Sequence, residues 1–315
     1  MTDIATKLRL FILINNNEVA VSFARKLVQH LALPHFQLGT IFKELENQPI
    51  NSAIHGLHGT EFPLWKLGEL LDETWVGEDI LNGLAELLYF RHAAESTRWN
   101  PPFLYLQTSF FTDACCLHKQ HPRLYSQELL DLRLRLLSTD VLKISIQVCD
   151  SSHYSSYVTS VNADKLDHGD SMHNPPLADA LQVFQWVFCD IPGFKQERID
   201  SEARQVARQG NGNGGDGSCG LAAYNFAERH LDPNTPSWTG QHSQLFRDRA
   251  LRDLLLYHFT AKEASGCVLD WVSRCVPTMN TMKDDMPVSS AAGFCGYNDY
   301  NLYSPRVCGS HYLFL

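Results

Sequence analysis

The chain has 315 residues, of which 44% are hydrophobic and 19% are charged, and its net charge is −9. This composition supports a packed globular protein and argues against extensive disorder. The sequence holds no block of Lys and Arg residues of the kind that marks a nucleic-acid surface. Direct nucleic-acid binding is therefore not expected.

The number of cysteines and the lengths of the apolar runs indicate the cellular compartment of the protein. There are nine cysteines, an odd number, and no Cys-x-x-Cys pair. The apolar run at residues 10–14 is too short for the core of a signal peptide, and no stretch approaches the roughly 18 apolar residues of a membrane span. We expect an intracellular protein, in the nucleus or cytoplasm, with free thiols and no membrane partner.

The pattern divides the chain into three parts. Residues 1–60 are predicted to be a helical extension, and residues 61–263 to be the main domain. Beyond residue 263 the apolar periodicity fades, and Pro, Ser, Gly and Asn are frequent, so residues 264–315 are predicted to be an irregular tail.

Two helices and one ambiguous segment come first in the main domain. Apolar residues at 80, 84, 87 and 88 form one face of an amphipathic helix, and Trp75 stands just before it. The aromatic stretch 104–111 is either a strand or a buried helical turn, because its periodicity does not decide. Residues 122–141 are predicted to be a helix with a leucine stripe.

Strands follow, and then further helices. Leu142, Ile144, Ile146 and Val148 alternate with polar residues, which predicts a half-buried strand. A second strand is predicted at 154–161, followed by a turn. The later segments are predicted as an apolar helix at 177–189, a loop and then a polar helix within 190–208, and an amphipathic helix at 240–263.

The most informative stretch is residues 209–231, where a glycine-rich turn leads into Ser218-Cys219-Gly220 and then a helix. A cysteine in the first turn of a helix lies near unpaired N–H groups and the positive end of the helix dipole, and both favour the nucleophilic thiolate. Cys219 is therefore a candidate nucleophile. The alternative is a flexible Gly/Asn linker followed by a buried structural cysteine.

A thiolate nucleophile needs a base and a group that orients the base. His153 lies at the junction of two predicted strands, where a side chain is held rigidly, and Asp170 follows 17 residues later. A hairpin would bring Asp170 back beside His153. The alternative for Asp170 is a surface position in a polar turn.

Four segments, taken together, resemble the ubiquitin-like-protein-specific (SUMO protease) family of cysteine peptidases. Residues 75–82 (WVGEDILN) resemble its opening motif, and residues 109–111 (SFF) resemble the element that follows. Residues 144–157 resemble its strand–His–strand block, and residues 216–221 (DGSCGL) resemble its nucleophile turn. The segments occur in the family's order, and the resemblance covers about residues 70–260. The helix that begins with Cys219-Gly220, together with residues 238–240 (WTG) and 251–258 (LRDLLLYH), looks like a divergent fungal or transposon-associated branch.

This resemblance implies an α/β (α+β) fold of the papain-like or adenovirus-protease-like kind, with a mixed central sheet flanked by helices. It implies hydrolysis after the C-terminal Gly-Gly of a ubiquitin-like modifier such as SUMO, without a cofactor or metal. Cys219 would be the nucleophile, His153 the general base and acid, and Asp170 the group that orients His153. Trp75 and Tyr154 would line the tunnel for the modifier's tail.

The sequence also departs from the family's pattern. Tyr154 stands where the family usually has Trp, and Glu78 replaces an Asp of the opening motif. The family's oxyanion Gln lies six residues before the Cys, where this chain has Asn213. Gln209, ten residues before Cys219, is assigned to that role through a four-residue insertion, with Asn213 and Gln205 as alternatives.

Other interpretations stay open. An ovarian-tumour-type deubiquitinase also has an Asp-Gly-x-Cys motif and would use His311, which follows the Cys. A decayed, transposon-derived module that only binds a ubiquitin-like protein is the second alternative. A nucleotide-binding loop at residues 210–215 is disfavoured, because no buried strand is predicted before it. A zinc site at Cys308 and His311 is disfavoured, because only one ligand couplet is present.

Overall fold

The computed structural model describes residues 18, 20–22, 25–26, 52–57, 59–95, 103–120, 125–138, 141–201, 205–210, 212 and 214–260. The predicted tail at 264–315, with Cys308 and His311, lies outside these residues, and so does most of the predicted 1–60 extension. The boundaries at 60 and 263 therefore stay predictions.

A five-stranded mixed sheet forms the centre of the described structure, with its strands in the order β1-β2-β3-β4-β5. The outer pairs β1–β2 and β4–β5 are parallel, and the inner pairs β2–β3 and β3–β4 are antiparallel. The strands are β1 Phe103–Leu106, β2 Lys143–Asp150, β3 His153–Ser160, β4 Lys165–Asp170 and β5 Arg198–Asp200.

Helices cover both faces of this sheet, which confirms the predicted class of a mixed central sheet flanked by helices. A 3-10 helix at Leu64–Leu70 precedes α1, and a second lies at Gly240–His242. From residue 52 onward, the α-helices of the described residues are α1 Glu78–Glu95, α2 Thr108–Gln120, α3 Gln127–Ser138, α4 Ala180–Val187, α5 Cys219–Leu231 and α6 Ser243–Thr260.

The core is divided by the sheet. On one face, Ile144, Ile146 and Val148 of β2 pack with side chains of α2, α3 and α4. On the other face, Tyr154 of β3 packs with Cys219 of α5 and with apolar side chains of α1 and α6. The candidate nucleophile therefore belongs to an apolar layer between the sheet and two further helices.

The prediction that β2 is half-buried was wrong. Its apolar residues Ile144, Ile146 and Val148 are buried, as expected, but Ser145 and Gln147 on the opposite face are also fully buried. The reason is that α5 covers this second face, where the Gln147 Nε2 group donates a hydrogen bond of 3.4 Å to the carbonyl oxygen of Gly220. Leu142, the first residue of the predicted alternation, is exposed and lies before the strand.

Residues 190–208 also differ from the prediction. The described part of this segment contains the short strand β5, a turn and irregular chain, with no helix. The prediction of a polar helix relied on the high polarity of this segment. Its polar groups instead make specific contacts with other parts of the chain. The Gln196 Nε2 group donates to Thr159 Oγ1, and the carbonyl oxygen of Val206 lies 2.8 Å from the His173 ring.

Two other helical predictions were refined. The ambiguous stretch 104–111 contains both candidate structures, since β1 ends at Leu106 and α2 begins at Thr108. The leucine stripe of α3 divides between two faces, because Leu129, Leu132 and Leu136 are buried while Leu130, Leu134 and Leu137 are exposed.

Within the described ranges, no helix combines the length and the apolar character that a membrane crossing needs.

Gly169 of β4 sets the distance between the sheet and α5. A Cβ atom at this position would lie 2.4 Å from Cδ2 of the Phe226 ring, which is itself buried in α5. Any larger side chain would have to push α5 away from the strand that carries Asp170. The glycine is therefore required by close approach of the helix.

We predict that Gly169→Ala lowers the free energy of unfolding by about 1–3 kcal/mol, as overpacking of a dense core does. Urea unfolding followed by circular dichroism would measure it. The control is Phe226→Leu, which should be less costly in the Gly169→Ala background than alone, because the shorter side chain relieves the clash. Additive effects of the two substitutions would contradict the proposed contact.

Candidate active site

A tight hairpin turn positions His153. The turn between β2 and β3 consists of Ser151 and Ser152, whose φ angles are 49° and 63°. Two consecutive residues with positive φ are typical of a type I′ turn, whose twist matches that of the flanking strands. His153 is the first residue after this turn and pairs with Asp150 in the β-ladder. Its backbone is thus fixed on both sides, as the sequence predicted.

Asp170 lies beside His153 because β3 and β4 are antiparallel. The last residue of β4 faces Ser155, near the start of β3. The Asp170 Oδ1 atom lies 2.9 Å from His153 Nε2, and the same oxygen accepts a 2.6 Å hydrogen bond from the backbone N–H of Met172. Asp170 is buried and not on a polar surface, so the surface alternative is wrong.

Burial by itself raises the pKa of the Asp170 carboxyl. The hydrogen bond from His153, the positive charge of His153 and the Met172 N–H outweigh burial, and the pKa of Asp170 is lowered overall. Asp170 is therefore a carboxylate at neutral pH and can hold the His153 ring in one orientation.

Cys219 meets the other side of His153. Burial lowers the pKa of His153, but hydrogen bonds with Asp170 and with Cys219, together with their charges, raise it from 6.5 to about 9. At neutral pH the ring is then an imidazolium. Since Nε2 is used by Asp170, Nδ1 is the ring nitrogen left for the sulfur. A cation beside a cysteine favours its thiolate form.

The start of α5 holds Cys219. It is the first residue of the helix and is 2% exposed, in contact with the apolar layer that includes Tyr154. Gly217, two residues earlier, has φ +77°, and a Cβ atom there would lie 2.6 Å from the carbonyl carbon of Thr74. Only glycine allows the turn to approach the segment before Trp75 this closely.

Gln209 lies beside the residue that follows Asp170. Its backbone N–H donates to the carbonyl oxygen of Ser171, and its Oε1 atom accepts a 2.8 Å hydrogen bond from the Ser171 hydroxyl. This contact orients the carboxamide and leaves its Nε2 group as a donor. Of the alternatives, Gln205 is exposed and Asn213 lies outside the described residues. The oxyanion role of Gln209 stays a prediction.

Trp75 and Tyr154 stack on each other, with ring centroids 5.1 Å apart and an angle of 21° between their planes. Trp75 is half-buried, whereas Tyr154 is almost fully buried in the apolar layer that also includes Cys219. The two aromatic residues thus lie together near the nucleophile. Whether a peptide tail passes along them stays a prediction.

Sequence analysis missed a buried arginine beneath the nucleophile turn. The Nε group of Arg247, on α6, donates a 2.9 Å hydrogen bond to Ser218 Oγ, next to Cys219. A usable signal was present in the spacing, because Arg247 precedes the buried Leu251 by four residues and Leu254 by seven, so all three share one helix face.

The described residues argue against the nucleotide alternative, whereas the zinc alternative at Cys308 and His311 lies outside them and is not tested. Within the described ranges, no three His, Cys, Asp or Glu side chains are placed to share a metal ion. Residues 205–209, which precede the Gly210-x-Gly212-x-x-Gly215 motif, form no strand, so the motif lacks the strand that a dinucleotide-binding turn follows.

Comparisons with known proteins were made with both sequence and structure. No family model matches the chain, and no curated protein matches it. Solved structures that it resembles include the C-terminal Ulp1 protease domain in complex with Smt3, the yeast orthologue of SUMO, with 15% identity, 70% of this chain, 94% of that chain and a TM-score of 0.47.

Two further similar structures carry related descriptions. One is the SUMO protease Ulp1 with its catalytic cysteine oxidised to a sulfenic acid, with 15% identity, 69% of this chain, 92% of that chain and a TM-score of 0.49. The other is the Ulp1-like SUMO protease catalytic domain of Chaetomium thermophilum, with 21% identity, 66% of this chain, 86% of that chain and a TM-score of 0.49. At such low identities and TM-scores this likeness assigns no activity, and the fungal or transposon-associated branch stays a prediction.

We predict that Asp170→Asn moves the titration midpoint of the His153 ring down from about 9. The substitution removes a negative charge and a hydrogen bond that favour the imidazolium, so the pKa of His153 falls toward its ordinary value. Nuclear magnetic resonance of the ring nitrogens across pH would measure the midpoint, and it needs no enzymatic activity.

Asp167→Asn is the matched control for this titration. Asp167 lies on the same strand, but its carboxylate pairs with His230 at 3.2 Å. This variant should leave the midpoint of His153 unchanged. An unchanged midpoint in folded Asp170→Asn protein would contradict the assigned pair.

Proposed function

We propose that the chain is a cysteine peptidase that cleaves after the C-terminal Gly-Gly of a ubiquitin-like modifier of the SUMO type. The bond is either an isopeptide bond to a lysine or the peptide bond of a precursor. The contact of Cys219 with His153, which is itself paired with Asp170, is the observation that supports this most strongly. The modifier class follows from the resemblance of residues 75–82, 109–111, 144–157 and 216–221.

In the proposed first step, the Cys219 thiolate attacks the carbonyl carbon of the terminal glycine. The negative charge that develops on the carbonyl oxygen is stabilised by N–H groups at the start of α5 and by the Gln209 amide. The His153 imidazolium then donates its proton to the leaving amine, which departs and leaves a thioester on Cys219. The ring is neutral after this step.

In the second step, neutral His153 removes a proton from a water molecule, which attacks the thioester carbonyl. The thioester bond breaks, the modifier leaves as a carboxylic acid that releases its proton to the solvent, and the thiolate–imidazolium pair is restored. Asp170 keeps the ring oriented through both steps and does not itself transfer a proton. No cofactor takes part in the sequence.

The two alternative functions differ in what they need from this site. A decayed binding module has no requirement for an intact nucleophile, base and acid, yet Cys219, His153 and Asp170 are all retained in contact. An ovarian-tumour-type enzyme would need His311 to displace His153 from Cys219, and His311 lies outside the described residues. Both alternatives predict experimental outcomes that differ from those of the proposed function.

The test uses SUMO and ubiquitin that each carry a C-terminal vinyl sulfone, which traps a nucleophilic cysteine covalently. We predict that the SUMO probe labels Cys219 and that Cys219→Ser abolishes labelling. Cys116→Ser, at an exposed free thiol, should change nothing. His153→Ala should slow turnover of a SUMO precursor by about 10²–10⁴-fold, as expected for a lost general base.

Other outcomes of this experiment reject the proposal. Labelling by ubiquitin alone would favour the ovarian-tumour-type reading, particularly if truncation after Ser304, which removes His311, abolished it. Binding of SUMO without any labelling of folded protein would favour the decayed module. Intact protein mass spectrometry resolves all of these products.

A second prediction concerns the modifier's tail. If Trp75 and Tyr154 enclose it, a Cβ atom on the last residue collides with a ring, so a Gly-Ala tail should be cleaved at least about tenfold more slowly than Gly-Gly. The kcat/KM for the two precursors measures this. Trp75→Leu should reduce the difference in kcat/KM between the two precursors, because the smaller side chain leaves room for the Cβ atom. Equal cleavage of both tails by the unaltered protein would mean that Trp75 and Tyr154 belong only to the core.

A further inference from the structure

Arg247 is an unusual residue for the place it occupies. Its side chain is 0% exposed, and arginines are almost never fully buried unless they are paired. Burial of a guanidinium carries a free-energy cost of several kcal/mol unless its donors are satisfied. The hydrogen bonds and the nearby charge that surround Arg247 must therefore offset this cost.

The guanidinium joins the nucleophile turn to the segment before Trp75. Its Nε group donates to Ser218 Oγ at 2.9 Å. Its two terminal nitrogens donate to the carbonyl oxygens of Glu69, at 2.9 Å, and Thr74, at 2.5 Å. One planar fork thus fixes the residue before Cys219 and the residue before Trp75 relative to each other.

Two hydroxyls and a carboxylate complete the network. Ser218 Oγ lies 2.7 Å from Ser243 Oγ, and both hydroxyl oxygens lie within 3.3 Å of Glu73 Oε2. The Glu73 carboxylate also lies 4.0 Å from the Nε atom of Arg247. The buried cation thus has a nearby counter-charge.

These contacts change the role of Ser218. A serine at the N-cap of a helix normally accepts a hydrogen bond from an N–H group of the first turn. Ser218 occupies the N-cap position of α5, but its side chain makes no capping hydrogen bond. Because its hydroxyl is held by Arg247 and Ser243, the first N–H groups of α5 stay available to Cys219 and to the oxygen of a substrate.

The charge of Arg247 also acts on Cys219. Burial lowers the pKa of Arg247, while the nearby charges of Glu73, Asp72 and Cys219 oppose that decrease. The Arg247 guanidinium therefore lies close enough to the Cys219 sulfur for their charges to interact.

We propose that Arg247 is a positioning residue for Cys219, holding the Ser218 hydroxyl away from the first N–H groups of α5 and fixing the nucleophile turn against the segment that carries Trp75. This inference rests on the proposed function insofar as it concerns turnover. Its structural part concerns the reactivity of one thiol and can be measured without a substrate.

The test compares Arg247→Met, which removes the charge and the hydrogen bonds, with Arg247→Lys, which keeps the charge but not the fork. The matched control is Arg249→Met, two residues further along α6. Among the described residues, the ion pairs of Arg249 are with Glu228, at 2.5 Å, and with Asp253, at 3.8 Å, and neither partner belongs to the nucleophile turn. This control should lose stability without altering the thiol. Folding of each variant is checked by circular dichroism and thermal unfolding.

The first readout is the rate of iodoacetamide alkylation of Cys219 as a function of pH, located by peptide mapping. We expect Arg247→Met to lower the rate at pH 7 by about tenfold and to move the profile to higher pH. Arg247→Lys should move it less, because the charge is kept. Arg249→Met should overlay the profile of the unaltered protein.

The second readout is turnover of a SUMO derivative with a C-terminal fluorogenic amide. We expect both Arg247 variants to lower kcat by about 10- to 100-fold, as small misplacements of a reacting group do, with KM nearly unchanged. If the unaltered protein shows no turnover but the alkylation profiles differ as described, the proposed function fails while the positioning of Cys219 by Arg247 stands.

The inference is overturned if folded Arg247→Met shows the alkylation profile of the unaltered protein. If that variant does not fold, Arg247→Lys and Ser218→Ala decide the question, because each breaks the contact between the fork and the nucleophile turn. Unchanged alkylation and unchanged kcat in those two variants would equally reject the proposal.

Discussion

The close packing of α5 against the sheet and α1 is the constraint on which the candidate site depends. Every residue from 219 to 228 of this helix is buried. A Cβ atom on Gly220 would lie 2.6 Å from Leu81 Cδ1, and one on Gly169 would lie 2.4 Å from the Phe226 ring. Gly220, which faces α1, and Gly169, which faces α5 from the sheet, therefore let α5 pack closely. This close packing brings Cys219, the first residue of α5, to His153 at the end of β3. Dense interiors transmit such displacements, so the distance from Cys219 to His153 depends on how closely α5 packs against the sheet and α1.

Burial alone does not decide the charge of a histidine in this structure, and two neighbouring strands illustrate why. His168 on β4 is buried and its ring contacts the hydroxyl of Ser201, so burial dominates and its pKa is lowered. His153 on β3 is also removed from water, but it has a carboxylate on one side and a sulfur on the other, and its pKa is raised to about 9. The partners, and not the depth, separate a structural histidine from one that can donate a proton near neutral pH.

The elements of the site could be predicted from sequence because their signals are local. A tight turn before His153, glycines before Cys219 and the turn that leads back toward Asp170 all leave a trace within a few residues. The helical cover on the second face of β2 could not be predicted, because the burial of Ser145 and Gln147 depends on α5, some 70 residues later in the chain. For the same reason β4 was not recognised as a strand, since its polar residues are satisfied by long-range partners such as His153 and His230.

Arg247 shows how stability and reactivity compete at one helix end. A capped N-terminus would stabilise α5 by about 1 kcal/mol, and Ser218 is a residue type well suited to that role. Its hydroxyl instead faces a buried guanidinium whose own desolvation is unfavourable, so neither group has the environment that would contribute most to folding. Uncapped N–H groups and a nearby cation are, however, the environment in which a thiolate and a developing oxyanion are most stable. Two neighbouring groups thus depart from the environment that would stabilise the fold most: Ser218 does not cap α5, and Arg247 is buried. A functional constraint on Cys219 would produce both departures.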